Sequence, residues 1–120
     1  MAIILAVEDD AFLLLSLRWM LEDLGHGVLG ASDLAGALEH LITPQPIDAL
    51  FVDIRLDTLE FGGYDVANQA ISLRHDLPVL YTSGCTLTAD VTARFVPGAR
   101  FLQKPYTPDQ IEAFMEALLP

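Results

Sequence analysis

Five short apolar segments, separated by stretches with helical periodicity, constrain the fold of this chain more than any other feature. Several of the segments are continuously apolar, which is typical of strands that are buried on both faces of a sheet. Regular alternation of strands and helices predicts an α/β protein with a parallel sheet. The predicted strands are residues 3–7, 28–31, 47–52, 79–82 and 99–102. We expect a doubly wound sheet in the order 2-1-3-4-5 with five helices.

The helices are predicted from apolar residues at helical spacing and from capping residues. Gly25 is expected to end helix one, Ser32 to cap helix two and Pro44 to end it. The start of helix five is the clearest, because Thr107 and Gln110 form a capping box around Pro108. The expected inward positions are Leu13, Leu17, Met20, Leu21 and Leu24 in helix one, Leu34, Leu38 and Leu41 in helix two, Val66, Ala70 and Leu73 in helix three, Val91 and Phe95 in a weaker helix four, and Ile111, Phe114 and Leu118 in helix five.

Size and charge limit the classes of function that this chain can have. Its 120 residues predict one domain, residues 1–120. The longest apolar run is residues 1–7, which is far too short to span a membrane, so we expect a cytoplasmic protein. A net charge of −11 argues against direct binding of nucleic acid, since phosphate backbones are bound by Lys and Arg. The single Cys85 excludes an internal disulfide.

Polar side chains follow four of the five predicted strands. Glu8 and Asp9 follow the first strand, Asp53 the third, Ser83 the fourth and Lys104 the fifth. Ligands of open parallel sheets bind beyond the carboxyl ends of the strands, near the point where strand order reverses. In the order 2-1-3-4-5 these four strands are neighbours, so we expect their side chains to share one crevice. Taken singly, each residue has an ordinary alternative as a helix cap, a turn residue or a solvated group.

Three carboxylates in one crevice need a compensating cation, because they repel one another and raise one another's pKa. Only hard oxygen ligands are available there, with no His or Cys, and this favours Mg²⁺ over zinc or copper. An aspartate can accept a phosphoryl group, and that transfer depends on positioning and on countering negative charge. Mg²⁺, the Lys104 ammonium group and the Ser83 hydroxyl would counter it. The crevice therefore has the parts that a phosphoryl-accepting aspartate requires.

The motifs at residues 7–10, 53–56, 82–84 and 104–105 resemble, in order and spacing, the receiver domains of response regulators in two-component signalling. The resemblance covers essentially the whole chain and implies a flavodoxin-like receiver fold. It implies that Glu8, Asp9, Asp53 and the backbone carbonyl of Arg55 hold Mg²⁺. It also implies that Asp53 is phosphorylated, that Ser83 and Lys104 contact the phosphoryl group, that Lys104–Pro105 is a cis peptide, and that Phe101 is the switch aromatic. A Phe lacks a hydroxyl, so any inward movement must act by packing.

The same resemblance implies the partners and the reaction. The donor would be a histidine kinase or a histidine phosphotransfer protein. Any enzymatic activity would be limited to Mg²⁺-dependent self-phosphorylation from phosphohistidine and slow self-dephosphorylation. The residues do not identify the cognate kinase, the signal, the output or the lifetime of the phosphorylated state.

The segment from Asp53 to Tyr64 departs from the family pattern. Asp57 replaces the usual proline after Leu56, and the glycines come one or two residues late, so the loop is lengthened. We expect residues 57–63 to be mobile before phosphorylation. Arg55 and Cys85 each lie two residues past a key position, at places that tune dephosphorylation in similar domains. Simple solvation of these two side chains is the alternative.

Three other functions fit parts of the pattern less well. A pseudo-receiver, an unphosphorylated protein-binding module, usually lacks the acidic pair, the acceptor or the lysine, and all are present here. A phosphatase of the haloacid dehalogenase type would have an Asp-x-Asp motif after strand one. A flavodoxin-like FMN carrier would have a loop rich in Ser, Thr and Gly there, whereas Glu8, Asp9 and Asp10 disfavour phosphate.

Helix one has more apolar residues than one core-facing side can use. Phe12, Leu15 and Trp19 fall on roughly the opposite side, at spacings i, i+3 and i+7. We call these three residues the outer face of helix one. One interpretation is an interface for the phosphohistidine donor or for a second receiver in a homodimer. The other is a set of scattered exposed apolar groups, which are common on soluble proteins.

Overall fold

The computed structural model describes residues 2–56, 62–84 and 87–118. Its strands are β1 (Ile3–Val7), β2 (Gly27–Ala31), β3 (Ala49–Asp53), β4 (Val79–Ser83) and β5 (Arg100–Gln103). They form one parallel sheet in the order β2-β1-β3-β4-β5. The helices are α1 (Ala11–Asp23), α2 (Leu34–Leu41), α3 (Gly62–Leu73), α4 (Ala89–Thr92) and α5 (Pro108–Leu118). The predicted fold class, strand order and number of helices are confirmed.

The sheet separates two hydrophobic clusters, because successive side chains of a strand point to opposite faces. In β1, Ile4 and Ala6 belong to the cluster under α1 and α5, whereas Leu5 and Val7 belong to the cluster under α2 and α3. Every residue of β3 and β4 is buried, as continuously apolar strands predict. The edge strand β5 is buried only at Leu102. No helix in the described ranges has the length and apolar character needed to cross a membrane.

Strand limits differ from the predicted ones by one or two residues. β3 begins at Ala49 rather than at residue 47, because Asp48 turns its carboxylate to the backbone amide of Ile3, at 2.7 Å. β3 also extends to Asp53, which lies opposite Thr82 of β4. β5 is shifted by one residue to Arg100–Gln103.

Three of the four predicted helix signals agree with the structure, and one is wrong. Pro44 comes shortly after α2, which ends at Leu41. Gly25 follows α1 with a φ of 91°, and the Thr107 hydroxyl and the Gln110 side chain form the capping box of α5. Ser32 does not cap α2. Asp33 does, because its carboxylate is placed to accept from the Gly36 amide at 2.8 Å and a carboxylate is also favoured by the helix dipole.

Two expected core residues are exposed. Leu13 is 38% exposed, because the buried side of α1 is centred on Leu17 and Leu21 and the partly buried Leu14 lies nearer to that centre. Leu73 is 48% exposed, because the buried side of α3 is centred between Ala67 and Ala70, about a quarter turn away. In α5 the unpredicted Met115 is buried beside Ile111. The side chain of Leu118 lies outside the described part of the chain.

Candidate functional site

The register of the sheet brings the predicted side chains to one edge. Glu8 directly follows β1, and its amide donates to Ala31 at 3.0 Å. Asp53 ends β3 and Ser83 ends β4, while the Lys104 amide donates to the Ser83 carbonyl at 2.8 Å. Three of these polar residues are buried: Glu8, Asp53 and Ser83. Buried polar residues are uncommon, so we expect this edge of the sheet to be a functional site.

Three carboxylates converge at this edge. Glu8, Asp9 and Asp53 each offer one carboxylate oxygen, and these atoms all lie within 4.8 Å of one another. Asp9 is exposed, whereas the other two are buried. Asp10, the next residue, instead caps α1 by accepting from the amides of Phe12 and Leu13. Asp10 therefore serves as the helix cap, and Asp9 belongs to the acidic cluster.

Lys104 neutralises part of this charge. Its ammonium group donates to Glu8 Oε1 at 2.7 Å and to Asp53 Oδ2 at 3.1 Å. The Lys104 side chain is 18% exposed, so both ion pairs are largely shielded from water. One cation facing two buried carboxylates leaves a negative charge uncompensated, and a proton or a second cation must balance it.

The pKa values reflect this imbalance. Burial, and then the neighbouring Asp53, raise the pKa of Glu8 to about 8, although Lys104 opposes both effects. Burial alone would lower the pKa of Lys104, but its bond to Glu8 and the charges of Asp53 and Glu8 raise it above the ordinary value. In the absence of a second cation, Glu8 therefore tends to hold a proton, whereas Lys104 stays charged.

The carboxylate oxygen of Glu8 that is unpaired in the described part of the chain is the observation that fits a bound metal ion. Oε2 of Glu8 is buried and has no hydrogen-bond partner among the described residues. A buried oxygen without a donor is costly, and a cation bound beside Asp9 and Asp53 would satisfy it. The set contains only carboxylate oxygens, which suits a hard divalent ion. The acidic cluster is thus a candidate metal site.

Gly63 holds the backbone of Asp53 in place, a role that the motifs did not predict. Its amide donates to the Ile54 carbonyl at 2.7 Å, and a Cβ at this position would collide with the Asp53 carbonyl oxygen. Only glycine tolerates such an approach of two backbones. The loop was predicted to include residues 57–63, but its last two residues, Gly62 and Gly63, are buried and belong to the start of α3. The mobility expected for residues 57–61 concerns a segment outside the described ranges.

The remaining predicted residues lie around this centre. The Arg55 side chain is exposed, and its amide points to Asp53 Oδ1 at 3.4 Å. The Lys104–Pro105 peptide is cis, as expected. Phe101 is partly buried, with its ring 6.1 Å from that of Phe95. Cys85, proposed to tune dephosphorylation, is outside the described residues.

The outer face of α1 is exposed. Phe12 is 79%, Leu15 41% and Trp19 61% accessible to solvent. A cavity of about 420 Å³ adjoins the same helix, and Leu13, Met20, Lys104 and Tyr106 line it together with Ser16 and Pro105. The cavity thus lies next to the residue that pairs with Asp53.

Comparison with known proteins gives a consistent result. The model of the response regulator receiver domain matches residues 4–116. Over 117 residues the chain is 35% identical to response regulator MprA of Mycobacterium leprae, covering 97% of this chain and 50% of that protein. Over 112 residues it is 36% identical to the alginate biosynthesis transcriptional regulatory protein AlgB of Pseudomonas putida, covering 90% of this chain and 24% of that protein. The chain thus spans half or less of the length of these relatives.

A solved structure supports the same grouping. The response regulator receiver protein from Sinorhizobium medicae WSM419 superimposes with a TM-score of 0.86 at 32% sequence identity. The match covers 98% of this chain and 93% of that chain.

Proposed function

The chain belongs to the response regulator receiver domains of two-component systems, and we propose that it accepts a phosphoryl group from a phosphohistidine donor onto Asp53 with Mg²⁺. The observation that carries this proposal is the position of Asp53. Asp53 is buried, and one of its carboxylate oxygens lies within 4.8 Å of carboxylate oxygens of Glu8 and Asp9. It also accepts a hydrogen bond from the Lys104 ammonium group at 3.1 Å. An acceptor held between a candidate metal site and a fixed cation is suited to phosphoryl transfer.

In the proposed step, a carboxylate oxygen of Asp53 attacks the phosphorus atom. A P–O bond to Asp53 forms as the N–P bond of phosphohistidine breaks, and the leaving imidazole nitrogen keeps the electron pair and takes up a proton. Hydrolysis reverses the modification: a water oxygen bonds to phosphorus, the P–O bond to Asp53 breaks, and the Asp53 oxygen keeps the electron pair. The products are the free carboxylate and inorganic phosphate, which retains or releases the proton of the water. We expect this self-dephosphorylation to be slow.

The other residues of the site would stabilise the charge that moves during transfer. Lys104 is already bonded to Asp53, so its ammonium group is placed to contact a phosphoryl oxygen. The buried Ser83 hydroxyl would donate a hydrogen bond to the same group. Mg²⁺ held by Glu8, Asp9, Asp53 and the Arg55 carbonyl would neutralise further charge on the phosphoryl oxygens.

We propose that phosphorylation changes a surface used by protein partners. Ser83 and Phe101 are the candidate switch residues, and Phe101 would act by packing because it has no hydroxyl. The donor, a histidine kinase or phosphotransfer protein, would contact the outer face of α1, and a second copy of the domain is the alternative occupant. The pseudo-receiver alternative is disfavoured, because the acidic pair, the acceptor and the lysine meet in one site.

Acetyl phosphate tests the acceptor directly. Incubation with acetyl phosphate and Mg²⁺ should add the mass of one phosphoryl group to the intact protein, and Asp53→Asn should remove this addition. EDTA should also prevent it. An equal mass shift in Asp53→Asn, or in EDTA, would show that the assignment is wrong, while an unlabelled wild-type protein would favour the pseudo-receiver.

A further inference from the structure

Asp53 is rigidly connected to the start of α3. The Gly63 amide donates to the Ile54 carbonyl at 2.7 Å, and the space for a Cβ on Gly63 is filled by the backbone of Asp53 and Ile54. Two backbones in such close contact move together, since close-packed atoms transmit displacement. A shift of the backbone at Asp53 therefore reaches the next residue of α3, Tyr64.

Tyr64 belongs to a column of aromatic rings that runs across the sheet. Its ring centroid lies 5.6 Å from that of Tyr81 on β4 and 6.4 Å from that of Phe95. Tyr81 and Phe95 are stacked at 4.3 Å, and Phe95 lies 6.1 Å from Phe101 on β5. Tyr64 is only 5% exposed, so it has little room to move without displacing a neighbour of this column.

Tyr64 also contacts α4 through its hydroxyl group. This group donates to the carbonyl oxygen of Val91 at 3.4 Å, and the guanidinium group of Arg94, just past α4, lies 5.8 Å from the ring centroid. α4 has four residues, none of them fully buried, and its Val91 packs partly buried against the core. The bond from Tyr64 reaches this same residue, so it helps to hold the helix at the point where the helix packs.

Phe101 is less well placed for this connection. It has no polar atom to offer, and its ring lies beside that of Phe95, at 6.1 Å. Tyr64, in contrast, is one residue from the contact with Asp53 and bonds to α4 directly.

We infer that Tyr64 is a positioning residue that carries the state of Asp53 to α4, through the contact of Gly63 with Asp53 and the bond from its hydroxyl to Val91. The inference rests on the proposed phosphorylation of Asp53. The group that connects the acceptor to α4 is then a hydroxyl on α3. The sequence motifs, in contrast, predict that Ser83 and Phe101 are the switch residues.

Hydrogen exchange of the α4 amides, before and after acetyl phosphate labelling, tests this inference. Tyr64→Phe keeps the ring and removes the hydroxyl. In the unmodified variant, amides of residues 88–95 should exchange roughly two- to tenfold faster than in the wild type, the effect of one lost hydrogen bond. Labelling of Asp53 should persist, and the change in α4 exchange caused by labelling should shrink to less than half of the wild-type change.

Tyr81→Phe is the matched control. It removes a hydroxyl from the same aromatic column, but that hydroxyl accepts from the amide of Val96, which lies beyond the end of α4. This variant should keep the α4 response to labelling. If labelling changed α4 exchange in Tyr64→Phe as much as in the wild type, or if Tyr81→Phe reduced that change equally, the inference would be overturned. The proposed function would still stand. Absence of labelling in the wild type would overturn the proposed function and the inference with it.

Discussion

The ammonium group of Lys104 lies closer to Glu8 than to Asp53, at 2.7 Å against 3.1 Å. The cation that should assist the acceptor is thus shared with a neighbouring carboxylate in the absence of metal. A metal ion that engages Glu8 would weaken this competition and leave Lys104 to Asp53. Several measurable properties of the protein depend on this sharing.

The first prediction concerns the pH dependence of stability without metal. The pKa of Glu8 is about 8 in the folded protein against an ordinary value of 4.5, so the folded protein holds this proton more tightly than the unfolded chain does. The stabilisation is complete below pH 4.5 and is lost as the pH rises through about 8. Glu8→Gln should remove this dependence.

Urea denaturation in EDTA at a series of pH values measures the effect. Between these two pKa values the unfolding free energy of the wild type, relative to Glu8→Gln, should fall by up to about 1.4 kcal/mol per pH unit. Parallel curves for the two proteins would show that Glu8 does not keep a proton in the folded state.

The second prediction concerns metal affinity. Because Glu8 must lose its proton before Oε2 binds a cation, Mg²⁺ binding should release a proton and strengthen as the pH rises towards 8. Calorimetry in two buffers of different ionisation enthalpy would count the protons released. Glu8→Gln should bind Mg²⁺ more weakly and release none. Proton release that is the same in both proteins would contradict this prediction.

The third prediction concerns Gly63. Gly63→Ala places a methyl group where the Asp53 carbonyl stands, so the backbone of the acceptor must move. We expect a loss of roughly 1–3 kcal/mol in unfolding free energy, the usual cost of overpacking, together with slower acetyl phosphate labelling. Gly84→Ala is the control for stability, because a Cβ at Gly84 meets nothing within 4 Å. Equal stability of the two variants would mean that the backbone of Asp53 and Ile54 moves away from the added methyl group at little cost in free energy.

Much of the fold was predictable, because its signals are local or periodic. The apolar strands, Gly25 and the capping box of Thr107 and Gln110 each act within a few residues. The choice between Ser32 and Asp33 as a cap was not predictable in this way, since both residue types cap helices well. Leu13 and Leu73 were misplaced because spacing gives a helical face only to within about a quarter turn.

The candidate site was predictable to the extent that its residues follow strands. All five site residues lie at the end of a strand or just after it, and parallel strands end at one edge: Glu8, Asp9, Asp53, Ser83 and Lys104. The contact between Gly63 and Asp53 could not be deduced, because it depends on how the segment after Asp53 returns to the sheet. Two adjacent glycines at the start of α3 were the available signal, and they were interpreted as loop residues. The bond from Tyr64 to Val91 leaves no trace in the sequence, since it joins residues 27 positions apart.

The last prediction concerns the outer face of α1. Phe12 and Trp19 are the most exposed of its three residues, and buried aromatic anchors contribute strongly to protein interfaces. Leu15→Glu combined with Trp19→Glu should leave folding and acetyl phosphate labelling nearly intact, because neither side chain belongs to the two core clusters. Phosphotransfer from a phosphohistidine donor, or self-association, should weaken about tenfold or more. Ile42→Glu combined with Leu73→Glu is the matched control, since it adds the same charge at exposed apolar positions away from α1. If the α1 variant unfolds, Leu15 and Trp19 are needed for the folded structure. If it folds and both phosphotransfer and self-association are unchanged, this surface binds neither partner.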